Sequence, residues 1–311
     1  MNGEVVVLGS MNLDIFVKLD ELPRAGETKS GSRIYRAPGG KSSNQAVAIA
    51  KSGIRPVLIA AVGDDPDGQQ LIDLAATQGI DVSHVSKLSN IPTGTAFVMV
   101  DDRAENLIVV VPGANGALDS QTVRKEIDQL ESPCQALVVA LEIDLEVVHD
   151  AMEEARKNST ITFLNPSPFT KDAMRLIPFA DFVVANQGEC ESIGNALGVE
   201  SSELPISLAN LGVRHLIITK GASGCLYYDL TSESPTARSF AAPSISPVDT
   251  TGCGDAFLGS LVSIYVETSD ISESIKYALK AASWAALGEG AQPSYGERAQ
   301  LETAFSNHSF F

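Results

Sequence analysis

The segment 248–257 combines glycines and a carboxylate in an arrangement that suits anion binding. Gly252 and Gly254 let the backbone amides of residues 252–255 approach a phosphate closely, and a helix beginning there adds the positive end of its dipole. Asp255 would then lie beside the bound phosphoryl group, where its carboxylate could take a proton from an attacking hydroxyl. A helix N-cap is an equally good interpretation of Asp255 from the sequence alone.

Two other interpretations of this segment are weaker. A dinucleotide fingerprint requires a third glycine at the position of Phe257, and the segment lies late in the chain. A reactive thiol at Cys253 would suit a helix N-terminus, but no histidine partner is nearby in sequence. The segment therefore favours phosphate binding by backbone amides.

A second candidate segment is 39–42, which reads Gly-Gly-Lys-Ser. It shares its ending with a nucleotide P-loop, but Tyr35 stands where that loop requires a glycine. What is left is a Gly-Gly turn that opens a helix, with Lys41 and Asn44 in the first helical turn. These groups could offer hydrogen-bond donors to a hydroxylated ligand, although a turn followed by a solvated lysine fits the spacing equally well.

The elements that must position these residues follow an alternating pattern. Short apolar runs separated by helix-like segments predict a parallel sheet with helices on both faces, an α/β fold. The predicted strands of this sheet are 5–8, 136–141, 161–164, 182–184 and 216–219. Helices are predicted over 42–52, 256–266 and 275–287.

Polar residues follow several of these strands directly. Ligands of open parallel sheets lie outside the carboxyl ends of the strands, so these residues together predict a site, although each alone could be a helix cap or a turn. They are Asn12, Asp14, Glu142, Asn165, Asn186, Glu189, Thr219, Lys220 and Gly221.

A small β appendage is predicted in the first part of the chain. Residues 13–19 and 32–35 are extended candidates, and 94–100 and 106–111 form a predicted hairpin.

Charge and hydropathy exclude several classes of partner. The 311 residues include 22 Lys and Arg against 39 Asp and Glu, a formal net charge of −17, which disfavours nucleic acid and anionic membranes. No apolar segment approaches the roughly 18 residues that a membrane helix requires. The N-terminus lacks the basic flank and long apolar region of a signal peptide, so we expect a cytoplasmic protein with no membrane partner.

Taken together, the motifs resemble the ribokinase branch of the phosphofructokinase-B carbohydrate kinase family. Segments 9–14 and 39–46 are similar to the first sugar-binding segment and first signature, 249–257 to the second signature, and 290–294 to a C-terminal segment of ribokinases. The resemblance runs from Val5 to Ser294. It implies a ribokinase-like three-layer sandwich with a central, mostly parallel sheet. Residues 1–311 would form one kinase domain, with a small β-sheet lid built from about 12–40 and 93–113.

The resemblance also implies an activity and its site. The activity is transfer of the γ-phosphoryl group of ATP to the O5 hydroxyl of D-ribose, with Asp255 as base and an anion hole at Gly252, Cys253 and Gly254. The implied sugar contacts are Asn12, Asp14, Gly40, Lys41, Asn44 and Glu142. Asn186 and Glu189 would organise Mg²⁺ and phosphate, and Thr219 and Gly221 would contact the nucleotide.

A potassium site and a homodimer are implied in the same way. The residues that would bind K⁺, mostly through carbonyl oxygens, are Asp249, Thr251, Ala285, Gly288, Gly290 and Ser294. The dimer would form through the lids.

One departure from the family pattern concerns the acceptor. Ser42 and Ser43 stand where ribokinases commonly have Gly-Ala, so we expect a pocket that is narrower or differently hydrogen-bonded. A related kinase acting on deoxyribose, a fructose-type sugar or a nucleoside is the alternative. A non-catalytic sugar or nucleotide sensor is a further alternative, against which the joint presence of Asp255, Asn186 and Glu189 argues.

Overall fold

A nine-stranded sheet lies at the centre of the computed structural model, which describes residues 3–103, 106–232 and 235–306. The strands along the chain are β1 (Glu4–Leu8), β2 (Asn12–Lys18), β3 (Arg33–Gly39), β4 (Val57–Gly63), β5 (Val85–Leu88), β6 (Gly94–Val100), β7 (Asn106–Val111), β8 (Cys134–Ala140), β9 (Ile161–Asn165), β10 (Phe182–Asn186), β11 (His215–Thr219), β12 (Cys225–Asp229) and β13 (Ala237–Phe240).

The helices are α1 (Lys41–Lys51), α2 (Pro66–Thr77), α3 (Ser120–Asp128), α4 (Leu145–Lys157), α5 (Gln187–Leu197), α6 (Leu204–Asn210), α7 (Cys253–Thr268), α8 (Ile271–Ala285) and α9 (Arg298–Ala304). In the described residues no helix is both long and apolar enough to cross a membrane.

The large sheet has the order β13-β12-β11-β10-β9-β8-β1-β4-β5. Its strands pair in parallel from β11 to β5, and β12 and β13 add an antiparallel edge. The core is divided between its two faces: α1, α2, α7 and α8 pack on one and α3 to α6 on the other. The predicted three-layer α/β fold is therefore confirmed, because strands such as β1 and β8 are apolar on both faces and must be covered twice.

A separate four-stranded sheet has the order β3-β2-β6-β7. Its strands fall within the predicted ranges 12–40 and 93–113, of which residues 104 and 105 lie outside the described residues. Residues 1, 2 and 307–311 of the predicted domain also lie outside them. The predicted hairpin is present as the antiparallel pair β6–β7. The function of this small sheet as a lid stays a prediction.

Strand β3 is longer than the predicted 32–35. It continues through Pro38, which pairs with Leu13 of β2. Strand β3 is an edge strand, a position where a proline is tolerated because one side of the strand pairs with no neighbour. The Pro and Gly residues that indicate a turn in the sequence therefore lie inside a strand.

Candidate active site

Two adjoining cavities bring the predicted site residues together. The larger, about 800 Å³, lies between the small sheet and the core, and all six predicted sugar contacts line it. The smaller, about 220 Å³, lies at the ends of β9, β10 and β11 and is lined by Asn186, Glu189 and Thr219 among others. Gly221 is outside its lining, in an exposed 3-10 turn. The two cavities share Lys41, Gly252 and Asp255.

Asp255 lies at the junction of the cavities and does not cap its helix. Helix α7 begins at Cys253 after Gly252, with no side-chain cap, and Asp255 is its third residue. Its carboxylate accepts hydrogen bonds from Asn44 Nδ2 to Oδ2 and from Gln45 Nε2 to Oδ1, both 3.0 Å. Burial raises the pKa of Asp255, and the charge of Lys41 and the two amides oppose that rise. The N-cap interpretation is therefore wrong.

The backbone preceding Asp255 presents free amides. Gly252 has φ 75°, and a Cβ there would lie 2.5 Å from Ala291 Cβ, so only glycine fits. Among the hydrogen bonds of the described residues, none has the amide of Gly252, Gly254 or Asp255 as donor. The amide of Cys253 instead donates to the carbonyl oxygen of Thr250 at 3.3 Å. Unpaired amides at a helix N-terminus are suited to bind a phosphate.

The thiol of Cys253 is not activated. Burial, followed by the charges of Asp249 and Asp255, raises its pKa to about 11. A thiol with this pKa is protonated at neutral pH and is a poor nucleophile.

Lys41 and Glu142 join the start of α1 to the sheet. Glu142 Oε2 accepts from the backbone amide of Lys41 at 2.8 Å and from Ser10 Oγ at 2.5 Å. Burial opposes the charge of Lys41, but nearby Asp255, Glu142 and Glu189 raise its pKa. Lys41 therefore keeps its charge where it lines the two cavities.

Asp14 is a carboxylate without a partner. Its Oδ1 is buried and accepts no hydrogen bond among the described residues. Burial, then the charges of Glu142 and Asp255, raises its pKa to about 7. A polar atom buried in this way is costly unless something else bonds to it, so Asp14 is suited to accept hydrogen bonds from the hydroxyls of a ligand.

Asn115 is a site residue that sequence reasoning missed. It is buried, accepts from the backbone amide of Met11 at 2.9 Å, and donates to Asn12 Oδ1 at 2.7 Å. Because Asn12 Oδ1 already accepts this hydrogen bond, the side-chain nitrogen of Asn12 is the group left to donate to a ligand in the larger cavity. Asn115 follows β7 by four residues, and no motif in the sequence pairs it with Asn12.

Asn186 and Glu189 form a capping box at the start of α5. Asn186 Oδ1 accepts from the amide of Glu189 at 2.9 Å, and Glu189 Oε2 accepts from the amide of Asn186 at 2.8 Å. Both residues also line the smaller cavity. The capping bonds therefore leave a ligand-binding role open, since each side chain has further hydrogen-bonding positions that its capping bond does not use.

The predicted potassium ligands lie on two loops that meet. Asp249 accepts from the amide and hydroxyl of Thr251 at 2.9 and 2.7 Å and from the amide of Gly290 at 2.8 Å. Although burial opposes ionisation, these hydrogen bonds lower the pKa of Asp249. A Cβ on Gly288 would lie 2.9 Å from that of Ser294, which shows how closely the loop folds on itself.

These loops fit a cation that takes oxygen ligands. Within the described parts of the chain, no donor hydrogen-bonds to the main-chain oxygen of Thr251, Gly288 or Gly290. The carbonyl oxygen of Ala285 accepts from the amide of Gly288 at 3.2 Å. Free carbonyl oxygens beside an ionised Asp249 are the donor set that a hard monovalent cation would use.

Ser42 and Ser43 do not narrow the larger cavity, since neither lines it. Ser42 Oγ donates to the carbonyl oxygen of Leu8 at 3.1 Å, and Ser43 Oγ accepts from Gln292 Nε2 at 3.0 Å. Gln292 also donates to Asn44 Oδ1 at 3.0 Å. The described hydrogen bonds of Ser42 and Ser43 therefore lie behind the cavity wall, and their effect on the acceptor stays a prediction.

Comparisons with known proteins show the family of the chain. Residues 2–298 match the model of the pfkB family carbohydrate kinases. The chain is 32% identical over 314 residues to the ribokinase of Haemophilus influenzae, covering 99% of this chain and 100% of that one. It is 30% identical over 299 residues to the deoxyribokinase of Salmonella typhi, covering 94% and 95% of the two chains.

Solved structures show the same architecture. The ribokinase of Thermotoga maritima superimposes with a TM-score of 0.87 at 27% identity, covering 98% of this chain and 100% of that one. A ribokinase of Cryptococcus neoformans in complex with ADP gives 0.83 at 27% identity, covering 97% and 100%. The fold and the relatives are those of a sugar kinase, a transferase. The chain belongs to the pfkB family of carbohydrate kinases.

Proposed function

We propose that this chain phosphorylates D-ribose at O5 with ATP, giving D-ribose 5-phosphate and ADP. The observation that carries the proposal is the position of Asp255 and Lys41 at the junction of two cavities, one lined by hydroxyl-binding groups and the other by a helix N-terminus. The names of the ribokinase relatives and the ADP in the Cryptococcus structure support ribose and ATP as the ligands.

The larger cavity would bind the sugar. Asp14 supplies free acceptor oxygens, Asn12 supplies an amide donor, and Glu142 holds the amide of Lys41 in place. Carboxylates and amides that point into one cavity can bond several hydroxyls at once, which fixes one hydroxyl near Asp255.

Asp255 would act as the base. Its carboxylate takes the proton of the sugar hydroxyl as that oxygen attacks the γ-phosphorus. The ammonium group of Lys41 and the free amides of Gly252 and Gly254 face the charge that develops on the transferring group. Donors that are already oriented stabilise such charge without reorganisation.

Metal ions would assist on the nucleotide side. Asn186 and Glu189 would hold Mg²⁺, and the two loops carrying Asp249, Thr251, Ala285, Gly288, Gly290 and Ser294 would hold K⁺. Bound cations supply positive charge for the phosphates in a chain whose formal net charge is −17. The loop of Asp249 leads directly into Gly252, so order in that loop orients the free amides.

An assay across acceptors tests this function. Purified protein with ATP, Mg²⁺ and K⁺ is expected to release ADP fastest with D-ribose, and more slowly with 2-deoxyribose, fructose and nucleosides. Ribose 5-phosphate should be the product by NMR, and omitting each cation in turn tests its requirement. Faster turnover of deoxyribose, which the deoxyribokinase relatives favour as the alternative, would move the assignment to that sugar. Tight sugar binding without ADP release would instead indicate a sensor.

The small sheet would act as a lid and as a dimer interface. Its inner face, with Phe16 and Val98, covers the larger cavity, so closure would exclude water from the reaction. On the outer face Ile34 is 69% exposed and Val109 is 49% exposed. An apolar sheet face of this kind is best covered by a partner, and a second copy of the chain is the partner we propose.

Light scattering after gel filtration tests the dimer. Wild-type protein is expected at twice the 32.8 kDa mass of the chain, and Val109→Glu at the mass of one chain, because a charge would be buried in the interface. Ile206→Glu, 44% exposed on α6, is the matched control and should stay dimeric. A monomeric wild-type protein at micromolar concentration would contradict the proposal.

A further inference from the structure

Asn44 and Gln45, two consecutive residues of α1, each donate a hydrogen bond to the carboxylate of Asp255. In the described structure the side chain of Gln45 makes no other hydrogen bond. We propose that Gln45 is a positioning residue, whose amide fixes the orientation in which Asp255 faces the junction of the two cavities. This inference rests on the proposed role of Asp255 as the base.

The first support is that Gln45 cannot bind substrate. It is fully buried and lines neither cavity. Its Nε2 donates to Asp255 Oδ1 at 3.0 Å, the one side-chain hydrogen bond of Gln45 among the described residues. Asn44 differs, because it lines the larger cavity and is one of the proposed sugar contacts.

The second support is the buried oxygen at the other end of the same amide. Gln45 Oε1 is buried and has no hydrogen-bond partner in the described structure. An unpaired buried carbonyl destabilises the fold, and a methionine or leucine would fill the space without it. Reversing the amide would set this oxygen against Asp255 Oδ1. Packing alone therefore does not explain glutamine here, whereas a donor for Asp255 does.

Close packing of α1 on α7 makes the contact rigid. A Cβ on Gly259 would lie 2.4 Å from the main-chain oxygen of Gln45 and 2.6 Å from Ala48 Cβ, so the two helices touch at this glycine. The second donor to Asp255, Asn44, is also held in place, because Gln292 donates hydrogen bonds to Asn44 and Ser43. Both carboxylate oxygens are thus anchored, and each keeps a further lone pair for the hydroxyl proton.

The charged and titratable groups that interact with Asp255 lie on β2, α1, α7 and the loops that follow β8 and precede α9. They are Lys41, Glu142, Asp14, Cys253 and Tyr295. Against this mainly acidic set, an amide donor stabilises the ionised form of Asp255, which is the form that accepts a proton. Loss of the donor should free the carboxylate to rotate and hold its proton to higher pH.

The test is the pH profile of kcat/KM for Gln45→Met and Gln45→Glu. Gln45→Met is expected to lower kcat about 10- to 100-fold and to move the acid limb of the profile up by about one pH unit, with ADP affinity within about twofold of wild type. Gln45→Glu keeps the size of the side chain but sets a second carboxyl against Asp255, so its acid limb should move in the same direction.

Ser52→Ala is the matched control. Ser52 Oγ and Ser260 Oγ form another buried hydrogen bond between α1 and α7, 3.0 Å long and remote from Asp255. This variant should lose stability without a change in the pH profile. If both Gln45 variants match the profile of Ser52→Ala, Gln45 is merely structural and the proposal is overturned. Failure of the proposed role of Asp255 gives a different result, namely an Asp255→Asn variant that turns over normally, and failure of the proposed function gives a wild-type protein that does not release ADP with D-ribose.

Discussion

Asp255→Asn is expected to lower kcat by about 10²- to 10⁴-fold while the affinity for ADP stays within a few-fold of wild type. The substitution removes the proposed acceptor of the hydroxyl proton, and a positioned base contributes about 10²- to 10⁴-fold. Deprotonation of the acceptor and charge development on the phosphoryl group are coupled, so the loss should fall in kcat rather than in KM. Steady-state kinetics and calorimetric titration with ADP measure the two effects.

The variant also has a predictable effect on stability. An asparagine nitrogen at this position would face one of the amide donors of Asn44 and Gln45, so we expect a lower melting temperature. Normal ADP binding at 25 °C shows that the remaining protein is folded. Turnover within about tenfold of wild type would show that Asp255 is not the base.

Asp14→Asn is expected to weaken sugar binding and to stabilise the protein. The carboxylate has a free buried oxygen, and hydrogen bonds from a charged group contribute roughly 1.5–3 kcal/mol each, so KM for the sugar should rise about 10²-fold. KM for ATP should change little, because Asp14 lines only the larger cavity.

The stability gain should depend on pH. The pKa of Asp14 is raised from 3.8 to about 7, so the folded protein binds its proton more tightly than the unfolded chain does. Between about pH 4 and pH 7 this residue therefore makes folding less favourable as pH rises. Asp14→Asn should gain on the order of 2–4 kcal/mol at pH 8 and little at pH 4, measured by urea unfolding. An equal change in the free energy of unfolding at pH 8 and pH 4 would show that ionisation of Asp14 does not destabilise the fold.

Much of the fold could be predicted because the chain signals it locally. The unbroken apolar run before Gly9 indicates a strand covered on both faces, and Gly40 marks the turn into α1. The antiparallel edge of β12 and β13 had no such signal, since β12 is short and ends in Asp229, and the four residues of β13 include Arg238 and Ser239. Likewise the turn-forming residues of β3 hide a strand that only its neighbour β2 defines.

The site was predicted less completely than the fold. Lys41 and Asp255 were singled out because each follows glycines that mark the start of a helix, and the structure places both between the two cavities. Gln45, Asn115 and Gln292 were missed as site residues. Their partners are 210, 103 and 248 residues away, and only the folded chain brings each amide to its acceptor.

Several interactions depend on the first turns of α1, and this limits which sequence changes the segment can accept. The six residues 40–45 include three that line the larger cavity, a serine that bonds Gln292 behind its wall, and both amides that hold the carboxylate of Asp255. A single inserted residue would rotate everything after it by about 100°, which removes both anchors at once. Natural variants of this segment should therefore exchange side chains, as Ser42 and Ser43 do, but never change its length.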